Sequence, residues 1–501
     1  MVGNNSSCPV RWGKCNVVAR SLMLQGTGSD VGKSVLVAGL CRAFHRRGLR
    51  VRPFKPQNMS NNAAVAQGGG EIGRAQWLQA KAACVAPNVD MNPVLLKPES
   101  DTGAQIIVHG QMFGRAEADT YQRCKGELLG YVVDSFEKLK AEADLILVEG
   151  AGSPAEVNLR ATDIANMGFA LPTNTPVALV GDINRGGVIA AIAGTYALLP
   201  DEERSLIRGV IINQFRGDVR LFDGGIETIR QVTGWQNYGV VPFLRCVREL
   251  PAEDAVVLEG QTSKKQGRLL VAVPLLPRIA NFDDLDPLRA VPDVDVVFVR
   301  PGTPLPRDAA LVVLPGSKAT IADLRFMKAE GWDIDIRAHV RAGGQVLGLC
   351  GGYQMLGTIV CDPFGVEGGG EEPGLGLLDV KTELLPDKQV TETVGSAPWC
   401  GEVVTGYEIH AGKTVGEGLK NPFLVSGDVP LGAMSADGHV MGTYMHGLFE
   451  KGAFLEAFLA RLGRQVRGVP DHGAKVNKAL DTLAEELEKH LDLDALYAAS
   501  R

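Results

Sequence analysis

From Val17 to Phe54 the chain runs through an apolar segment, a glycine loop, a helix-forming segment and a second apolar segment without interruption: VVARSLMLQ, GTGSDVGKS, VLVAGLCRAFHRRG and RVRPF. A helix set between two strands makes a crossover, and a crossover joins parallel neighbours. The helix is expected to stop at Gly48, after a basic last turn. Further apolar strands are expected at 144–150, 176–182 and 209–215, with helical stretches between them. This alternation predicts an α/β fold whose mostly parallel sheet is covered on both faces. Ligands of such sheets sit at the carboxyl ends of the strands.

The pattern breaks at 251–268, where AEDAVVLEGQTSKKQGR is polar and poorly periodic, and then resumes with LLVAVPLL, DVDVVFV, AALVVLPG and GGQVLGLC. Two α/β domains are expected: a phosphate-loop unit at 17–250 and a second unit at 269–465, joined by a linker at 251–268. Residues 1–16 read as a loose tail, and 466–501 as a closing helical segment. Its LDTLAEELEKHLDLDALYAA has leucines at helical spacing and is expected to dock on the second unit. A length of 501 residues suits such an arrangement. The 61 glycines follow no three-residue period, which excludes collagen and points to tight turns and ligand loops. A net charge of −7 argues against a nucleic-acid partner but leaves room for a local basic pocket. Nine cysteines without a Cys-x-x-Cys pair fit a reducing cytosol rather than a zinc or redox motif. With no signal-peptide core and no run of 18 apolar residues, a cytoplasmic protein with no membrane partner is expected.

The loop Gly26-Thr27-Gly28-Ser29-Asp30-Val31-Gly32-Lys33-Ser34 leads from a strand into a helix. Backbone N–H groups there can cradle phosphate oxygens at the positive end of the helix. Lys33 can neutralise the outer phosphates of a nucleoside triphosphate, and the Ser34 hydroxyl can ligate Mg²⁺. Thr27 stands where the usual spacing places glycine, so the loop is a variant form. Glu149, Asp182 and Glu71 are candidate metal ligands; a capping or solvated role competes for each, and Glu149, ending a strand before Gly-Ala-Gly, is the best placed.

In GGQVLGLCGGYQMLG, Cys350 falls between a strand and a helix, with Gly348, Gly351 and Gly352 permitting a sharp turn. A buried structural thiol is the usual fate of a cysteine. In this setting a nucleophile is expected, activated by the helix dipole and facing N–H groups that could hold an oxyanion. LPGSKAT at 314–320 could complete that oxyanion hole. For the base, His446 is preferred, followed by His410 and His439. A nucleoside triphosphatase joined to a thiol hydrolase suggests amide synthesis: a carboxylate is phosphorylated, glutamine releases ammonia through a thioester, and ammonia displaces phosphate.

KPQNMSNNA (55–63), GGEIGRAQ (69–76), DMNPVLLKPESDTGAQIIVHG (90–110), EGAGSPAEVNL (149–159), GLCGGYQMLG (348–357), GYEIHAGKT (406–414) and GTYMHGLF (442–449) resemble the cobyric acid synthase family over about residues 19–450. The resemblance implies glutamine-dependent amidation of the b, d, e and g carboxylates of adenosylcobyrinic acid a,c-diamide, with ATP and Mg²⁺. The first unit is similar to dethiobiotin synthetase, which implies nucleotide contacts at Gly26, Thr27, Gly32, Lys33 and Ser34. It also places Lys55 near the γ-phosphate, Asn213 near adenine, and Mg²⁺ on Ser34, Glu149 and Glu71. The second unit resembles class I glutamine amidotransferases, with Cys350 as nucleophile and His446 as base. That class usually has Glu two residues after the histidine, where this chain has Leu448; Glu450 or Glu408 could orient the imidazole instead. Arg74, Lys97 and Arg160 could form a basic pocket for the corrinoid, and an enclosed ammonia route is expected from Cys350 toward Lys33. The weighed alternatives are the sister enzyme that makes the a,c-diamide, and a switch ATPase with an inert second unit. Such ATPases often carry an extra lysine where this loop has Gly28, and KPQNMSNN argues against the sister enzyme.

Overall fold

The computed structural model describes residues 19–99, 103–252 and 267–501. The strand before the phosphate loop lies inside a six-stranded parallel sheet. The order is Gln236–Pro242, Ile207–Phe215, Val177–Asp182, Arg20–Gly26, Leu145–Glu149 and Val51–Phe54. All the strands expected from the apolar runs are present; the edge strand Gln236–Pro242, only partly buried, was not anticipated. The chain first moves to one side of the central strand and later to the other, so the loop opens at a switch point of the sheet.

The second sheet has the order Val294–Val299, Leu269–Pro274, Leu311–Leu314, Gln345–Leu349, Val440–Thr443 and Ala433–Met434, parallel except for the last strand. The chain is therefore a two-domain α/β protein. Cys350 follows the Gln345–Leu349 strand, and His446 comes shortly after its neighbour Val440–Thr443. The adjacent strand ends bring the two residues together.

Each unit adds further strands, mostly antiparallel, that the sequence does not announce; Gln57–Met59 pairs parallel with Val94–Pro98. In the first, Gln57–Met59, Val94–Pro98, Gly103–Val108 and Gln111–Glu117 form a small sheet. In the second, a long hairpin of Lys381–Ser396 and Val403–Val415 pairs with Met445–His446. The two units meet here: Leu95 and Ile107 of the small sheet, with Ala63 and Val65 of the separate ribbon Ala63–Val65/Glu71–Gly73, pack with Ile409, Val390 and Tyr407 of the second unit. In the small sheet both faces are covered, Val94, Leu96, Ile106 and Val108 by the first unit's own core and Leu95 and Ile107 by the second unit, so its strands lack the apolar–polar alternation of a half-buried sheet.

The closing helix His472–His490 corrects an expectation. It packs on the helix Lys33–Arg46 of the first unit and not on the second unit: Leu480, Leu483 and Leu487 share one core with Leu36, Leu40 and Phe44. Gly39 makes the close approach possible, since a Cβ there would lie 2.4 Å from Leu487 Cδ1. Helical periodicity gave the buried face correctly but carries no information about which surface receives it. Truncating one such buried leucine to alanine typically costs about 2–5 kcal/mol. The proposed tail 1–16 and nearly all of the proposed linker 251–268 lie outside the described residues. Among the described residues no helix is long and apolar enough to cross a membrane.

Candidate active sites

The phosphate loop folds around two demanding glycines. A Cβ on Gly26 would stand 2.7 Å from both Gly28 O and Lys33 Nζ. Gly32 has φ +90°, and a Cβ there would meet Asn213 Nδ2 at 2.3 Å. Thr27 is tolerated because its φ is not positive. Lys33 Nζ donates to Gly28 O at 2.9 Å and to Gly152 O at 3.1 Å, joining the loop to the Glu-Gly-Ala-Gly turn.

Glu149 is 1% exposed and is the hub of this site. Its Oε1 accepts from Ser34 Oγ and from Lys55 Nζ, each at 2.7 Å. Its Oε2 accepts from Gln79 Nε2 at 2.6 Å and from Gln76 Nε2 at 3.5 Å. The hydroxyl and carboxylate of Ser34 and Glu149 are hard oxygen donors of the kind Mg²⁺ takes when it shares phosphates with the protein. The glutamines come from the helix Arg74–Ala82 and were not singled out in the sequence, because a buried Gln carries no motif.

Three expected assignments are not supported. Glu71 is buried and ion-paired with Lys97 and Lys388, and it does not line the cavity at the phosphate loop. Burial alone would raise its carboxyl, but the ammonium groups of Lys388, Lys97 and Lys318 outweigh that and hold it well below the usual range. With its oxygens committed to lysines, Glu71 does not fit a metal. Asn213 donates to Val31 O at 2.8 Å, bracing the loop, and is not among the cavity's lining residues. Lys97 and Arg74 do not form the basic pocket, because each is buried against a carboxylate: Lys97 against Glu71, and Arg74 against Asp283 at 2.7 Å. Arg160 does line the cavity, beside Glu203 at 3.3 Å. Asp182 caps its own turn, accepting from Asn184 N at 2.7 Å.

That cavity, about 2170 Å³, lies between the units. It is lined by Lys33, Ser34, Lys55 and Glu149 on one side and by Arg289, Asp295 and Val296 on the other. The closing helix contributes Lys475 and Lys478.

At the second site Cys350 takes φ +51°, ψ −108°, the strained backbone of a nucleophile elbow. Glycine is needed two residues after it, since a Cβ on Gly352 would stand 2.1 Å from Leu314 O. A Cβ on Gly351 would lie 2.9 Å from Ser317 N, which places the LPGSKAT turn beside Cys350. His446 is 2% exposed, and its Nδ1 sits 2.6 Å from Asp284 Oδ2, whose other oxygen accepts from Gly447 N at 2.8 Å. Burial alone would depress this imidazole. The Asp284 carboxylate and the hydrogen-bonded Cys350 thiol overcome that and push it up to about 10. His446 is therefore held in its protonated form beside the Cys350 sulfur.

Asp284 is the orienting group that the sequence left open. Glu408 is excluded by strand geometry: Tyr407 is the cross-strand partner of His446, so Glu408 points to the opposite face, 3.7 Å from His410. Glu450 lies among Arg74 and Lys81 instead. Leu448, at the usual position of the acid, is fully buried in the core. His410 borders the cysteine pocket, but its Nδ1 is tied to Gly412 O at 2.8 Å and its ring is stacked on Tyr444. His439 precedes the Val440–Thr443 strand at the end remote from Cys350. The pocket at Cys350 is small, about 40 Å³, and is lined by Lys318, Thr320, Gln354, Glu367 and Lys388 with Gln105 and Met112 of the first unit. Among the described residues the two cavities share no lining residue, so the expected ammonia route is not one continuous cavity.

Residues 22–257 match the family model of the CobQ/CobB/MinD/ParA nucleotide binding domain, and residues 270–454 match that of the CobB/CobQ-like glutamine amidotransferase domain. The chain is 59% identical over 476 residues to the cobyric acid synthase of Rhizobium johnstonii, covering 95% of this chain and 97% of that one. The chain belongs to the cobyric acid synthase family. The family's enzyme in Rhizobium rhizogenes is likewise 59% identical, over 96% of this chain and all of the relative, and that of Brucella suis is 57% identical over the same shares. As a member of this family the chain is a glutamine amidotransferase-type ligase with a nucleotide-binding domain.

Proposed function

We propose that the protein converts adenosylcobyrinic acid a,c-diamide to adenosylcobyric acid by four ATP- and glutamine-dependent amidations, at the b, d, e and g carboxylates. The observation that carries this reading is the pairing, in one chain, of the Cys350–His446–Asp284 set with a phosphate loop that opens into a cavity of about 2170 Å³. That volume is well above the roughly 300–1,000 Å³ of an ordinary small-molecule pocket and suits a nucleotide beside a large corrinoid. Arg160, Lys475 and Lys478 on its lining offer cations to the substrate's carboxylates.

In the first unit a substrate carboxylate attacks the γ-phosphorus, ADP leaves, and an acyl phosphate forms. Lys33 and Lys55 stabilise the charge that develops on the phosphoryl oxygens. Ser34 and Glu149 would hold Mg²⁺, which supplies charge neutralisation at the phosphates. In the second unit the Cys350 thiolate attacks the side-chain carboxamide carbon of glutamine, and His446 gives its proton to the departing ammonia. Water then hydrolyses the thioester to glutamate. Ammonia displaces phosphate from the acyl phosphate to give the amide. The free thiols of the seven described cysteines accord with a cytoplasmic setting.

Incubation with the a,c-diamide, ATP and glutamine should yield a product lighter by about 1 Da for each acid converted to amide, four in all. If cobyrinic acid were amidated and the a,c-diamide left unchanged, the sister reaction would replace this one. ATP turnover indifferent to both corrinoid and glutamine would revive the switch ATPase. Glu149→Gln is expected to slow amidation from glutamine and from ammonia alike by on the order of 10²–10³-fold, as removal of a group holding the phosphoryl site does. Steady-state ADP release measures this, and a loss confined to the glutamine-driven reaction would refute the placement of Glu149.

A further inference from the structure

The catalytic imidazole of the second unit is held by groups that are themselves held by the first. Asp284, which orients His446, lies on a short turn that begins at Asn281, a residue with φ +51°. Asn281 makes a reciprocal pair with the first unit: its N donates to Asn62 Oδ1 at 2.8 Å, and its Oδ1 accepts from Ala63 N at 3.1 Å. Asp283, next to Asp284, is ion-paired at 2.7 Å with Arg74, and both side chains are more than nine-tenths buried. Against the face of the ring, Tyr407 stacks on His446 with centroids 5.2 Å apart, and its hydroxyl donates to Ala63 O at 3.3 Å. Arg74 N in turn donates to Asn62 O at 3.1 Å, closing the seat.

We propose that Asn62, Ala63 and Arg74 of the nucleotide-binding unit are positioning residues for glutamine hydrolysis, because they fix Asp284 at the edge and Tyr407 on the face of the His446 ring. None of the three lines the pocket at Cys350. Their effect passes through the imidazole, so turnover depends on them more than glutamine binding does. The glutamine pocket itself is lined by other residues, Lys318, Gln354 and Glu367 among them. A buried ion pair on a turn with a left-handed residue has few alternative arrangements, and a displacement of about 1 Å at a catalytic group can cost roughly 100-fold in rate.

The inference rests on the amidotransferase reading of the second unit, and one experiment separates the two. Glutamate release from glutamine is measured with the full-length enzyme, wild type and Arg74→Gln, across pH, alongside the thermal midpoint. For Arg74→Gln, kcat should fall on the order of 10- to 100-fold with KM for glutamine little changed. Loss of the cation leaves the acidic turn more negative, so both limbs of the kcat/KM profile should move to higher pH. Arg74→Lys should restore most of the rate. Tyr407→Phe, which keeps the stacked ring and removes only the tie to Ala63, should lower kcat by a few-fold. An Arg74→Gln enzyme with unchanged kcat and pH profile would overturn the inference. So would a loss that tracks a fall in the folded fraction and is not restored by lysine. A wild-type enzyme that released no glutamate would instead overturn the amidotransferase reading, and this inference with it.

Discussion

Replacing Cys350 by serine is expected to lower glutamine-dependent amidation by roughly 10⁴-fold or more while amidation from ammonium salts persists. The loss follows from the chemistry of the nucleophile: a hydroxyl beside an imidazole held for a thiolate is far less ionised, and removing one member of such a set costs nearly as much as removing all of it. The persistence follows from the layout. Cys350 lines only the small pocket of the second unit, whereas Lys33, Lys55 and Glu149 line the large cavity, and the two share no lining residue among those described. The substitution removes no buried ion pair, and the elbow geometry is set by the flanking backbone. Product mass measured with glutamine, and again with ammonium chloride at alkaline pH where free ammonia is plentiful, decides the matter. Failure of ammonia to restore amidation would mean that the two sites are not chemically separable.

The placement of the candidate site residues was legible wherever it depends on their own neighbours in the chain. A glycine-rich loop between strand and helix announces Lys33 and Ser34, and a cysteine flanked by glycines at a strand end announces Cys350, because backbone conformation is written locally. Asp284 was not legible. It lies 162 residues before His446, in an acidic turn with no motif, and tertiary packing brings it to the imidazole: Phe282 and Leu285 enter the second unit's core while Asn281 bonds to the first unit. Glu71 failed for the mirror reason: a carboxylate after a glycine run looks like a phosphate-site acid until Lys388, 317 residues away, takes it. The closing helix shows the same limit, since its leucine spacing fixed a buried face but not the helix that receives it. Local conformation and amphipathic faces can be read from sequence, whereas the choice of partner for a buried charge or an apolar face is a property of the assembled units.

Asp284→Asn should be the most damaging change that leaves the nucleophile in place, lowering kcat for glutamine hydrolysis by on the order of 10²–10⁴-fold. An asparagine amide can accept from His446 Nδ1 as the carboxylate does, but it supplies no charge to stabilise the imidazolium, and if turned over it donates and imposes the wrong tautomer. The carboxylate is what offsets burial at this ring: without it, desolvation prevails and the imidazole drops from its raised value near 10. The same change has a stability signature. His446 is raised from 6.5 to about 10 in the folded protein, so its charged form contributes stability that is complete below about pH 6.5 and is lost as pH rises through about 10. Wild-type unfolding free energy should therefore decline across that alkaline window, and the decline should be much shallower in the asparagine variant. Denaturant unfolding between these pH limits, read beside glutaminase kcat, tests both halves. Equal pH slopes in the two proteins, or a variant within a few-fold of wild-type turnover, would show that Asp284 neither charges nor orients the histidine.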